Sequence, residues 1–241
     1  MKARLAILLV VAAGVIAGCA TGDVARLPTY KLEALRAEAL RALPPEETGD
    51  FRASDLVEVT TLDPTILLDV RYATRDNFLH WPVYSDARVF LQRPAAEAVV
   101  RAHRALQPQG YGLLLFDGYR PWYVTRIFWD AVPPEQRDFV ANPDQGSKHN
   151  RGCAVDLTLY VLATGREVEM PSGYDDFSER AHPDYGGGTA AQREARDLLR
   201  RTMEAQGFTV DDIEWWHYDC RDWRKYRIEN VAFKDVAARQ R

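Results

Sequence analysis

The 241-residue sequence predicts an α+β fold with a mostly antiparallel central sheet and flanking helices. Strand-like and helix-like segments come in mixed order, without the regular βαβ alternation of a parallel sheet. The strand-like segments are short, and the helix-like ones carry their own start and stop residues. With 46% hydrophobic and 27% charged residues, the chain has enough apolar side chain for one core.

The first segment, "MKARLAILLVVAAGVIAGC", stands apart from the fold. Lys2 and Arg4 precede an unbroken apolar run from Leu5 to Ala17, too short to span a bilayer but suited to a secretory signal. The closing "VIAGC" resembles the lipobox of bacterial lipoproteins, which implies removal of residues 1–18 and lipidation of Cys19. The alternative is an ordinary signal cut near Ala17 or Ala20, or an uncleaved anchor. Ala20 stands where an aspartate often retains lipoproteins at the inner membrane, so the expected location is periplasmic, lipid-anchored to the outer membrane. Export would place the other two cysteines in an oxidising compartment.

Residues 19–50 read as a linker and spacer helix. Leu32, Leu35, Ala39, Leu40 and Leu43 fall at helical spacing, and Pro44-Pro45 stops the run. This helix either packs on the body or holds it away from the membrane. The body, residues 51–241, reads as one domain. "LVEVTTL" and "TILLDVRYA" look like strands split by Asp63-Pro64. "RPAAEAVVRAHRALQPQG" is helical, with Pro94 near its start and Gly110 after its end. "YGLLLF" is a buried strand that ends at the turn "DGYRP", and "PWYVTRIFWDAV" is again helical. In "TAAQREARDLLRRTMEAQG" Thr189 and Gln192 form a capping box. Ala191, Ala195, Leu198, Leu199 and Met203 make one face, and Gly207 closes the helix.

A net charge of −4, with no basic block or stripe, argues against a nucleic-acid partner. Three cysteines are too few for a disulfide scaffold. The chemistry concentrates in two places. "SKHNRGCAVDLTLY" sets His149 and Asp156 seven positions apart with Gly152 between them, free to turn the backbone sharply. Far downstream, "IEWWHYDC" offers His217 and, three residues earlier, Glu214. A catalytic zinc uses three such ligands, and a carboxylate beside its water serves as general base. Positions i and i+3 of a regular strand face opposite sides, so Glu214 and His217 meet only if the backbone bends. Trp215 and Trp216 would wall the site. Read singly, each pair is equally a hydrogen-bonded couple or a surface ion pair.

Together, "SKHNRGCAVD" and "EWWH" resemble the S-x-H-x-x-G-x-A-x-D and E-x-W-H motifs of the zinc D-alanyl-D-alanine peptidase family. "LLDVRYATRDNF", "DGYRP" and "YDDFSERAH" are similar to its dipeptidase branch, which includes the vancomycin-resistance dipeptidases, over roughly residues 56–226. The resemblance implies the hedgehog-like fold of that family and one Zn2+ per chain held by His149, Asp156 and His217. It implies Glu214 as acid/base and Arg120 as the group that steadies the oxyanion. It also implies Ser147 as a pocket residue and Asp175 as the partner of the substrate's amine, with Asp176 as the competing alignment. The branch commonly has Phe where this chain has Tyr174, a hydroxyl expected to act on selectivity.

The implied reaction is hydrolysis of the small dipeptide D-Ala-D-Ala. Carboxypeptidase action on longer peptidoglycan peptides is the alternative within the larger family. A non-catalytic wall-binding lipoprotein is the alternative outside it. His103 reads as a surface or boundary residue and His80 as a loop residue, while His182 stands near the expected pocket wall. Cys153 and Cys220 flank ligands that must meet and, in extended backbone, both turn away from the metal, so they are expected to lie close. A disulfide between them and two buried thiols are both compatible with that.

Overall fold

The computed structural model describes residues 26–238. The expected signal segment and Cys19 lie outside the described residues. Strands β1 (Leu56–Glu58), β2 (Leu67–Leu68), β3 (Phe90–Gln92), β4 (Tyr111–Asp117), β5 (Ala154–Val161), β6 (Phe208–Val210) and β7 (His217–Cys220) form two sheets. β1 and β3 make a small antiparallel pair. The main sheet has the order β2-β4-β5-β7-β6, antiparallel except for the edge pairing of β2 with β4. The helices are α1 (Thr29–Ala39), α2 (Val59–Leu62), α3 (Arg93–Leu106), α4 (Trp122–Ala131), α5 (Ala190–Ala205) and α6 (Phe233–Ala238). Helices and a mostly antiparallel sheet share one core, which is the α+β arrangement the sequence predicts.

β4 and β5 form the centre because their sequences leave few polar positions to face water. "YGLLLF" reads as a continuous apolar run, the pattern of a strand covered on both faces. Leu113, Leu115, Leu157 and Leu159 are all fully buried on one face of the ladder, where Leu113 opposes Leu159 and Leu115 opposes Leu157. α3 packs on β4, and α5 packs on α3, β5 and β6. The capping box of α5 is formed, with Thr189 N–H donating to Gln192 Oε1 at 2.8 Å and Gln192 N–H to Thr189 Oγ1 at 3.2 Å. Its buried face centres on Leu199 and Met203, joined by Arg196, while Ala191 is exposed.

Several elements differ from expectation. "LVEVTTL" is strand only through Glu58 and then makes one helical turn, because β3 supplies just three partners before α3 begins. "TILLDVRYA" contributes two strand residues and then a 3-10 turn that buries Tyr72. α1 ends at Ala39, short of Leu43, so Leu40 and Leu43 are exposed while Leu32 and Ala39 bury. It packs along α4 rather than standing off as a spacer. Beyond it, Glu47 accepts from Arg151 Nη2 at 2.6 Å and from Ile228 N–H at 2.7 Å, tying the segment to the body. His103 is fully buried, not peripheral. Its Nδ1 accepts Leu113 N–H at 3.0 Å and its Nε2 meets Thr65 Oγ1 at 2.9 Å, so a polar ring sits in the core with both nitrogens paired.

Cys153 and Cys220 are joined in a disulfide with Cα atoms 5.1 Å apart, just past the end of the β5–β7 ladder. The bond closes a loop of sequence separation 67. In the chain-entropy model a loop of that length contributes about 4 kcal/mol by restricting the unfolded chain. Replacing both cysteines by serine should lower the unfolding free energy by roughly 2–4 kcal/mol in urea titrations. An unchanged midpoint would show that the ladder holds without the bond.

Candidate active site

The site grows from a single row across the sheet. Asp156 of β5 pairs with Asp117 of β4 on one side and with His217 of β7 on the other. Directly opposed residues point to the same face, so the three side chains emerge together. Asp117 reaches the row through a register shift after Leu115, which sets it opposite Asp156 in place of Phe116.

His149 arrives from the turn before β5. Residues 149–151 form a 3-10 turn closed by Gly152 at φ 65, and a Cβ there would lie 2.4 Å from Leu56 Cδ2. Only glycine lets the chain reverse into β5 at that point. The turn is braced by Asn150, whose Nδ2 donates to Arg120 O and Thr125 Oγ1, both at 2.8 Å. Ser147 accepts His149 N–H on its Oγ at 3.2 Å and borders the cavity. Glu214 and His217 meet because residues 214–217 make a turn, with His217 N–H donating to Glu214 O at 3.3 Å. That turn supplies the bend the sequence required.

His149 Nε2 and His217 Nδ1 are 3.1 Å apart, and Asp156 Oδ1 lies 3.4 Å and 3.1 Å from them. Tetrahedral ligands about 2.0–2.1 Å from one ion stand roughly 3.3 Å from each other, so the three atoms are spaced to share a zinc-sized cation. Asp156 Oδ1 is buried and accepts no well-aligned hydrogen bond, a deficit that a cation would remove. The far side of each imidazole is committed. His149 Nδ1 donates to Gly118 O at 2.7 Å, and His217 Nε2 to Asp219 Oδ1 at 2.9 Å. Burial alone would raise the Asp156 pKa, but the two imidazoles hold it far below the usual carboxylate range. Burial likewise opposes charge on His217, yet Asp156 and Asp219 raise its pKa well above the ordinary value. Both shifts mark a place for positive charge.

Arg120 follows the "DG" turn and is buried. Asp117 fixes its guanidinium through Nε at 3.0 Å and Nη2 at 2.9 Å, and Cζ lies 5.5 Å and 4.8 Å from the ring centroids of the adjoining Tyr72 and Phe128. Nη2 lies 3.8 Å from Asp156 Oδ2. Glu214 Oε2 stands 3.8 Å from His217 Nδ1, and burial pushes its carboxyl up to about 8 against the pull of His217.

Arg120, Ser147, His149, Asp156, Glu214 and His217 border one cavity of about 460 Å³, in the range of small-molecule sites. Asp175 borders it too, at φ 61, with Oδ1 accepting from Tyr72 OH at 2.8 Å and Oδ2 buried without a partner. Burial lifts its carboxyl to about 7. Asp176 instead accepts from Ser178 and borders no part of the cavity, which separates the two candidate alignments. Trp216 walls the cavity, whereas Trp215 turns inward and donates to Ser172 Oγ at 2.9 Å. His80 and His182 are not among its lining residues. The Tyr174 hydroxyl, expected to act on selectivity, also lies off the cavity and donates to Asp156 Oδ2 at 3.0 Å.

Sequence reasoning missed Asp117, Asn150 and Asp219. Asp219 was legible in principle, because two residues past His217 in a strand it must share that histidine's face.

A cation-sized ligand set, a carboxylate beside it and a buttressed guanidinium make amide hydrolysis the chemistry at hand, and the chain is a metallopeptidase. Residues 52–234 match the model of the peptidase family described as D-Ala-D-Ala dipeptidase, and the chain belongs to that family. It is 39% identical over 172 residues to a D-alanyl-D-alanine dipeptidase of Enterococcus faecium, covering 64% of this chain and 85% of the relative. The D-alanyl-D-alanine dipeptidase of Escherichia coli K12 is 32% identical over 175 residues, covering 73% and 89%. That of Streptomyces coelicolor is 35% identical over 193 residues, covering 73% and 93%.

The raised Asp175 pKa carries a stability signature with a definite sign. In the unfolded chain this carboxyl ionises near 4, as an ordinary aspartate does at about 3.9. Between about pH 4 and 7 the folded state therefore binds the extra proton, and stability falls as pH rises. In metal-free protein, the urea midpoint of wild type minus that of D175N should decline from pH 4 to 7 and level off above. A flat difference would place Asp175 in ordinary solvent.

Proposed function

We propose that this chain is a zinc-dependent dipeptidase that hydrolyses D-Ala-D-Ala. The observation that carries the reading is the unpartnered Asp156 Oδ1 facing His149 Nε2 and His217 Nδ1, with the Glu214 carboxylate next to them. His149, Asp156 and His217 would hold the ion. When bound, zinc supplies Lewis acidity, lowering the pKa of water to about 7 and polarising a carbonyl.

The protein's own groups do the rest. Asp175 receives the substrate's ammonium on its free Oδ2, which orients the dipeptide with its amino end anchored. Ser147 borders the same space. Glu214 takes the proton of the attacking water and returns it to the leaving amine. Its carboxyl is pushed up to about 8 in the protein without metal, and a neighbouring divalent charge would lower it toward working pH. Arg120, immobilised by Asp117, offers its guanidinium to the oxyanion without reorganising. Trp216 and Phe128 limit access of water around these groups.

The same reading makes the protein an exported lipoprotein, anchored through Cys19 and facing the periplasm. The basic start, the apolar run and the "VIAGC" ending support that location. The catalytic unit is taken to begin at residue 51, with α1 as its packed extension.

Three measurements test these assignments. E214A should lose turnover of D-Ala-D-Ala by at least about 10²–10⁴-fold while retaining one zinc per chain by elemental analysis. Loss of zinc in that variant would make Glu214 a ligand. R120K keeps the charge but loses the planar fork, and should reduce kcat by about 10²–10³-fold. An equal rate would remove Arg120 from the reaction. Purified zinc-loaded protein should cleave D-Ala-D-Ala and leave a pentapeptide ending in it intact. Release of D-alanine from the pentapeptide would favour carboxypeptidase action.

A further inference from the structure

We propose that Tyr174 is a positioning residue for Asp156: its hydroxyl fixes the rotation of the carboxylate so that Oδ1 alone faces the imidazoles. The inference rests on the metal-ligand reading of Asp156 given above. Tyr174 OH donates to Asp156 Oδ2 at 3.0 Å, and both residues are buried. The ring cannot easily swing away. It stacks on Phe116 at 4.4 Å between centroids and 17° between planes, and meets Trp216 and Tyr72 at 5.5 Å and 5.8 Å. Since Tyr174 is absent from the cavity lining, its hydroxyl has no direct role toward substrate.

The two oxygens of Asp156 thus have separate tasks. Oδ1 faces His149 and His217 and accepts no aligned hydrogen bond. The donors nearest Oδ2 are the Tyr174 hydroxyl and, at 3.8 Å, Arg120 Nη2, whose guanidinium is already bonded to Asp117. At 3.8 Å the arginine is beyond hydrogen-bond reach and does not set the carboxylate's angle. One hydroxyl therefore decides it.

Without that hydroxyl, Oδ2 would be a buried acceptor whose closest remaining donor is Arg120. A buried carboxylate oxygen does not stay unpaired when a rotation can satisfy it. The carboxylate would turn toward Arg120, drawing Oδ1 out of line with the imidazoles and partly neutralising the guanidinium needed by the oxyanion. The metal site and the oxyanion site would be disturbed together, while Asp175, which anchors the amine, would not.

Y174F removes one oxygen and keeps the stacked ring, so the variant should fold with the near-ultraviolet circular dichroism of wild type. Zinc affinity, measured by competition with a chromogenic chelator, should fall about 10-fold or more, the range for lost outer-shell partners. The visible absorption of the cobalt(II)-substituted protein should shift, because the ligand geometry changes. In the zinc enzyme kcat for D-Ala-D-Ala should fall with KM unchanged within about twofold. Equal zinc affinity and an identical cobalt spectrum would overturn the proposal while leaving the metal reading intact, as would a rise in KM alone. A wild-type protein that binds no zinc would overturn both.

Discussion

The structure depends on the pairing of β5 with its two neighbours. The register that sets Asp156 opposite Asp117 and His217 is the event that makes a site. A slip of one residue would turn Asp156 to the face where Leu157 now lies, and put an apolar side chain where a charge is required. Much of the surrounding architecture guards that register: the irregularity after Leu115, the left-handed Gly152, the buried leucines on the opposite face, and the disulfide past the ladder's end. Packing and chemistry share the same hydrogen bonds, so the site is as rigid as the core.

The electrostatics of the cavity follow from that placement. Asp156, Asp175 and Glu214 face inward with Arg120 close by, and Arg120 is already matched by Asp117. Such an excess of carboxylate cannot ionise freely away from water. Asp175 and Glu214 have raised pKa values, whereas Asp156 is depressed by its interactions with His149 and His217. The positions that retain protons are those where a divalent ion and an ammonium group would bring positive charge. In this sense the pattern of pKa shifts outlines what the cavity is built to receive.

Much of this was readable from the chain itself, and the parts that were not have a common cause. Elements written in local chemistry came through: the capping box at Thr189 and Gln192, the apolar β4 run, and the glycine after His149. The candidate ligands His149, Asp156 and His217 could be named from motif and resemblance, and the sheet together with the turn before β5 brings them together. What failed to show was anything decided by a distant partner. The segment around "LVEVTTL" looks like a strand, but its length is fixed by how soon α3 starts on the neighbouring strand. His103 looks like a helix-surface residue until Leu113 and Thr65 are seen to claim both of its nitrogens. Asp117 is silent in sequence, and the Tyr174 hydroxyl reads there only as a selectivity feature, because Asp156, the partner that gives each its place, lies elsewhere along the chain.

The order in which the candidate ligands occur along the chain also governs when the cluster can assemble. His149 and Asp156 emerge from the ribosome well before Glu214 and His217, which come from the turn and strand near the end of the body. A nascent chain that stops short of residue 214 has two of the clustered side chains and an unpaired edge on β5. The cluster is therefore complete only once β7 has been made and paired with β5, and the Cys153–Cys220 link cannot form before Cys220 is present.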